Sequence, residues 1–125
     1  MVKISGLYPG VRVDTVGSGV VSQSGGVALV EAIRVSGLGS SLSAALAPWR
    51  KPMAIHDPAK VILDLAVSLA LGGDCLADVA VLRAEPGVFG RVASDPTVSR
   101  TIDALAADVD KALTAIDTGR AAARA

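Results

Sequence analysis

The chain has 125 residues, 51% of them hydrophobic, and its 12 Lys+Arg balance its 12 Asp+Glu. With a mean hydropathy of +0.54, intrinsic disorder is excluded, and the length bounds a single small domain. Its aromatics are Tyr8, Trp49 and Phe89 alone, so the core is built from Ala, Val, Leu and Ile; that suits close-packed helices and argues against a large-cavity enzyme fold with an aromatic-lined pocket. The single cysteine, Cys75, excludes an internal disulfide framework and points to a reducing compartment. The longest apolar run, Val61 to Leu71, is broken by Asp64 and Ser68 and falls far short of the roughly 20 residues that span a bilayer. The N-terminus carries no apolar signal segment, so the expected location is the cytoplasm, without a membrane partner. Charge is uneven: residues 1–56 carry a net +3 and residues 57–125 a net −3; neither value is extreme, and since a free-standing nucleic-acid binder is usually basic, charge alone argues against that role.

Residues 1–10 read as a flexible lead-in. Val11 to Val16 alternates apolar and polar, Gly17-Ser18-Gly19 follows, and Val20-Val21 resumes the apolar run; this predicts a β-hairpin over 11–22. Ser22 to Ser24 offers caps for a helix over 25–35, which Gly37 stops. A second helix is expected over 39–47, limited by Pro48, with Trp49-Arg50-Lys51-Pro52 as a loop. Asp57-Pro58 places a cap acceptor before a proline at the first helical position. The helix it opens, 58–71, is apolar almost all round and reads as the buried centre of the domain. Asp74 is the expected cap of a helix over 75–84, with Leu76, Val79, Ala80 and Leu82 inward. Asp95-Pro96 repeats the cap-and-proline device before a helix over 96–106, and a last helix runs over 108–124. The fold class is therefore mostly α: a lead-in and small N-terminal hairpin over 1–22, then about six helices over 23–125, with 75–106 as a helix-turn-helix-like unit.

That unit carries the most chemistry. Val98, Ile102 and Leu105 fall at i, i+4 and i+7, a buried stripe. Thr97, Ser99, Arg100 and Thr101 supply hydroxyls and a guanidinium on a helix with few bulky side chains; such groups reach phosphates and base edges, and Arg83 and Arg91 lie near enough in sequence to add phosphate contacts. An ordinary capped surface helix has the same pattern. Asp103, Asp110 and Asp117, seven apart, read as a solvated face, and Asp64 as the i, i+4 partner of Lys60. His56 flanks the Asp57 cap, and Cys75 reads as a small packed hydrophobe. One histidine and one cysteine do not make a zinc site. Gly17-Ser18-Gly19 and Gly25-Gly26 lack the spacing of a phosphate loop.

Several blocks occur in an order that resembles bacterial insertion-sequence transposases of the DDE type. They are Val20-Val-Ser-Gln-Ser-Gly-Gly, His56-Asp-Pro with Val61 to Gly73, Leu76 to Arg83, and Phe89-Gly-Arg-Val-Ala-Ser-Asp-Pro-Thr-Val-Ser-Arg-Thr-Ile-Asp. Within that superfamily the order is most similar to the IS-thirteen-eighty group, over residues 11–125. The resemblance implies an N-terminal helical region that binds the terminal inverted repeats of the element. In the family an RNase-H-like catalytic domain follows, whose Asp, Asp and Glu hold two divalent metals such as magnesium.

No aspartate of this chain matches those catalytic positions, so the resemblance implies no catalytic residue, no cofactor in this chain and no strand cleavage by it. It implies a truncated reading frame, a separately encoded N-terminal piece or a contig-end fragment. The positions it carries over are Thr97, Ser99, Arg100 and Arg91. Double-stranded DNA is the expected partner. The alternative is an interaction module without activity of its own, packing on a catalytic domain or a second subunit, which zero net charge with high hydropathy favours. A small enzyme, lacking a nucleophile-base pair and a cofactor loop, ranks last.

Overall fold

Asp57 closes the start of the helix on which the others are assembled. The computed structural model describes residues 7–9 and 20–124. In it the Asp57 Oδ1 accepts from the Ala59 amide at 2.9 Å, and Pro58 opens helix α3, Pro58–Ala70. Ahead of it run α1, Val20–Ser36, and α2, Leu38–Ala45, with a one-turn 3₁₀ segment at Ala47–Trp49. Gly37 separates α1 from α2 at φ 76°, a left-handed turn that a side chain would strain. Beyond α3 come a 3₁₀ turn at Leu76–Val79, then α4 (Ala80–Arg83), α5 (Pro86–Phe89), α6 (Asp95–Ala106) and α7 (Val109–Arg124). Among the described residues there is no strand.

Val30, Leu42, Leu46, Leu63, Val67, Val79, Leu82 and Phe89 form the main core, and Val61, Ala93 and Val98 a smaller one. Leu65 packs against both, so α3 is the shared wall of the two. The α7 helix packs chiefly on α2. Gly119 allows this approach: a Cβ there would stand 2.7 Å from Leu42 Cδ2 and 3.2 Å from Leu42 Cα.

The mostly helical expectation and the order of the helices hold. Several finer expectations do not. Val20, Val21 and Ser22 begin α1 and are not a strand, because a β-branched pair is tolerated in a helix that tertiary packing supports; the rest of the expected hairpin, 11–19, lies outside the described residues. Ser22 to Ser24 are therefore interior and not caps. Tyr8, in the expected flexible lead-in, is 2% exposed. The expected helix 75–84 is a 3₁₀ turn followed by the short α4, and Leu76 and Ala80 face solvent while Val79 and Leu82 are buried. Cys75 is exposed and not packed. Asp78, not Asp74, closes that turn, accepting from the amides of Asp74 and Cys75 at 2.7 and 3.1 Å. At α6 the cap position is Ser94, with Asp95 already helical.

The central helix also differs from its apolar appearance. Lys60, Asp64 and Ser68, one turn apart, are all buried, whereas Leu69 is exposed. The polar stripe of α3 is thus the inward one.

Candidate nucleic-acid interface

Two elements face each other across an open cleft of about 350 Å³. One wall is the turn that carries Arg50, Lys51 and His56 into α3; the other is the α6 face of Thr97, Arg100, Thr101 and Ala104. The α6 wall follows from helical spacing, since Val98 and Leu105 are buried on one side and residues at i, i+3, i+4 and i+7 from Thr97 share the other. Thr97 organises it: its Oγ1 accepts from Arg100 Nη2 at 3.2 Å and from Ser94 Oγ at 3.1 Å, and its carbonyl accepts from Thr101 Oγ1 at 3.0 Å. Arg100 is exposed and has no carboxylate partner among the described residues.

The opposite wall carries none of the residues that the sequence marks as candidate DNA contacts. Its only available sequence signal is the adjacent cations Arg50-Lys51 between Pro48 and Pro52. Arg50 reaches Asp57 Oδ2 at only 3.4 Å, and that carboxylate already accepts from Ser43 Oγ and the Ala59 amide. Lys51 is exposed. Among the described residues no carboxylate lines the cleft. His56, on the same wall, has its pKa held below its ordinary 6.5 by burial first, then by Arg91 and Lys60, which stand outside the cleft; near neutral pH its imidazole is uncharged.

The other residues singled out in the sequence lie elsewhere. Ser99 is half-buried and Arg91 is exposed, and neither lines the cleft, although Arg91 stands close enough to act on His56. Arg83 is turned into the protein: its Nη2 donates to the Ala93 carbonyl at 2.6 Å and to Asp95 Oδ1 at 3.0 Å. Its buried Nε has no partner among the described residues. Arg83 therefore holds the segment that leads into α6.

Behind the cleft, a buried network ties α3 to Tyr8. Asp64 Oδ1 accepts from Tyr8 Oη at 2.6 Å and Asp64 Oδ2 from Lys60 Nζ at 2.6 Å; Lys60 also donates to the Arg91 carbonyl at 3.2 Å. The expected Lys60–Asp64 pair is thus present, with a third member that sequence spacing did not reveal. Burial raises the Tyr8 and Asp64 pKa values and lowers that of Lys60, while the ion pair opposes the last two shifts.

The family described as Transposase DDE domain group 1 matches residues 5–122, and the chain belongs to that family. No curated protein and no solved structure matches it.

A DDE centre binds divalent metal through converging carboxylates, and the described residues do not fit one. Asp57 and Asp64 are buried and engaged by internal donors, Asp95 pairs with Arg83, and Asp103, Asp110 and Asp117 are exposed. The group whose ligand atoms do converge, within 4.8 Å, is Asp74, Cys75 and Asp78; it contains a thiol, and Asp78 is spent closing the turn. No single helix among the described residues is long and apolar enough to cross a membrane.

Proposed function

We propose that this chain serves as the non-catalytic DNA-binding region of an insertion-sequence transposase of the IS-thirteen-eighty group, gripping the terminal inverted repeats in the cytoplasm. The observation that carries this reading is the cleft: a hydroxyl-and-guanidinium helix face opposed by further cations, with no carboxylate among its described lining residues, in a chain of zero net charge. Phosphates select that chemistry. In this reading α6, following α4 and α5, acts as the recognition helix of a helix-turn-helix-like unit. Thr97, Arg100 and Thr101 meet the duplex, with Ser99 and Arg91 at its margin. Arg83 acts by positioning. Cutting and joining fall to carboxylates outside this chain, and the chain needs no cofactor of its own.

A mobility-shift assay tests the proposal. Duplexes carrying the inverted repeats are expected to bind in preference to scrambled duplexes, and Arg100→Ala is expected to cost about 1–3 kcal/mol of affinity. Equal and negligible binding to both duplexes refutes it.

A second reading, an interaction module, is favoured by one observation: Val35, Leu69, Val81 and Leu113 are more than half exposed, an apolar load that a partner's surface would cover. Light scattering distinguishes it, since a strict monomer at high concentration counts against it.

A further inference from the structure

We infer that the turn from Arg50 to His56 is a second DNA-holding wall, on which Arg50 and Lys51 grip the sugar–phosphate strand bordering the groove that α6 enters. The inference rests on the DNA-binding reading above and extends it to an element that α6 alone does not require.

Four features of the turn support it. First, its charges are available. Lys51 is exposed, and Arg50 is held only by a long 3.4 Å contact to an Asp57 that keeps its other donors without it. Second, the turn is preorganised. Pro48 and Pro52 fix φ on either side of the two cations, and the Ala54 amide donates back to the Lys51 carbonyl at 3.0 Å. Little chain entropy is then lost on binding. Third, the cleft is open to solvent between the turn and α6, so both walls can meet one strand at the same time. Fourth, Met53 and Ile55 at the tip are 93% and 69% exposed, so no other described segment covers the turn.

A protein partner fits less well. The buried centres of protein interfaces are depleted in lysine, whereas this cleft sets Lys51 beside Arg50 and Arg100, and the Asp57 carboxylate that Arg50 reaches is already engaged by Ser43 and the Ala59 amide. That one-sided charge complements a polyanion.

The test uses the full chain and a fluorescent duplex of mixed sequence, because phosphate contacts are read without regard to sequence. Arg50→Ala with Lys51→Ala is expected to weaken binding at least tenfold. It is also expected to flatten the plot of log affinity against log salt by about 0.9 for each lost phosphate contact. Lys51→Glu, which disturbs no internal contact, is expected to weaken binding at least as strongly, and this variant stands in if the double variant folds poorly by circular dichroism. Arg120→Ala, on α7 and outside the cleft, is expected to leave affinity unchanged. If the wild-type chain binds, Arg100→Ala weakens it, and both turn variants bind within twofold of wild type, the second wall is refuted while the DNA reading stands. If the wild-type chain fails to bind any duplex, both fall. If Lys51→Glu leaves DNA binding intact but changes the mass in light scattering, the turn is a protein interface, and the inference is overturned.

Discussion

The Tyr8 hydroxyl donates to Asp64 Oδ1 at 2.6 Å, and on the other side of the same carboxylate Lys60 Nζ donates to Oδ2 at the same distance. Lys60 also stands 4.5 Å from the centre of the Tyr8 ring. Three polar groups thus close on one another inside a largely apolar core. Buried charge is tolerated only where each group is answered in this way.

Removing the phenol therefore has a defined cost. Tyr8→Phe keeps the ring but leaves Asp64 one donor short, and is expected to destabilise the fold by about 1–3 kcal/mol. The pH dependence carries a further signature. The Tyr8 pKa is raised above its ordinary 10.0, so its contribution is complete below that value. It is lost as pH rises further, by about 1.4 kcal/mol per pH unit, because only the unfolded chain ionises there. Lys60 is common to both chains. Urea unfolding is thus expected to show the wild type and Tyr8→Phe converging above about pH 10, and phenolate absorbance is expected to appear only with unfolding. A phenol that titrates freely in the folded chain contradicts the network.

The Tyr8 network also marks the limit of what the sequence makes legible. Local signals behave as physics requires. Asp57-Pro58, Gly37 and the Val98–Leu105 stripe each act within one or two helical turns, and the structure shows each at the position its sequence predicts. Tyr8 and Asp64 are 56 positions apart, and no spacing rule connects them, so α3 reads as apolar all round although its polar stripe faces inward. The same distinction separates the two walls of the cleft. The α6 face is a periodicity and can be read. Its meeting with Arg50 and Lys51 is a tertiary event and cannot. Arg83 is a different case: an arginine near α6 has the same sequence signature whether it faces a phosphate or a backbone carbonyl.

That distinction predicts how Arg83 contributes. Its contact with Asp95 joins two groups that are 35% and 47% exposed, and pairs of that kind are worth about 0–1 kcal/mol. Its contact with the Ala93 carbonyl is charge-assisted, and Ala93 is buried; such bonds are worth about 1.5–3 kcal/mol. Arg83→Met is accordingly expected to lower unfolding free energy clearly more than Asp95→Asn. Equal losses in a chemical denaturation series assign the stabilisation to the ion pair instead.

Gly119 tests the α2–α7 contact. Alanine gains roughly 1 kcal/mol over glycine in an unhindered helix. Here its Cβ would fall 2.7 Å from Leu42 Cδ2 and 3.2 Å from Leu42 Cα, and overpacking of this sort costs about 1–3 kcal/mol. Gly119→Ala is expected to lower the melting temperature despite its better helix propensity. A rise in melting temperature shows that α7 stands further from α2 than the structure places it.

His56 offers a readout of cleft occupancy. Free, its pKa lies below 6.5 because burial and the nearby Arg91 and Lys60 disfavour the imidazolium. Arg50, Lys51 and Arg100 line the same cleft, and the neighbouring carboxylate of Asp57 is engaged by Ser43 and the Ala59 amide. For the folded chain alone the depressed value means stability is lost as pH falls through it, since the unfolded chain binds the proton more readily. Phosphates brought alongside reverse the local field and raise the pKa, so proton uptake accompanies binding. Duplex affinity is then expected to increase severalfold as pH falls from about 7.5 to about 6, under conditions where the chain remains folded. His56→Gln is expected to remove most of that dependence while retaining affinity near pH 7.5. A wild-type affinity that does not change across this range places the phosphates away from His56, and with them the strand away from this end of the cleft.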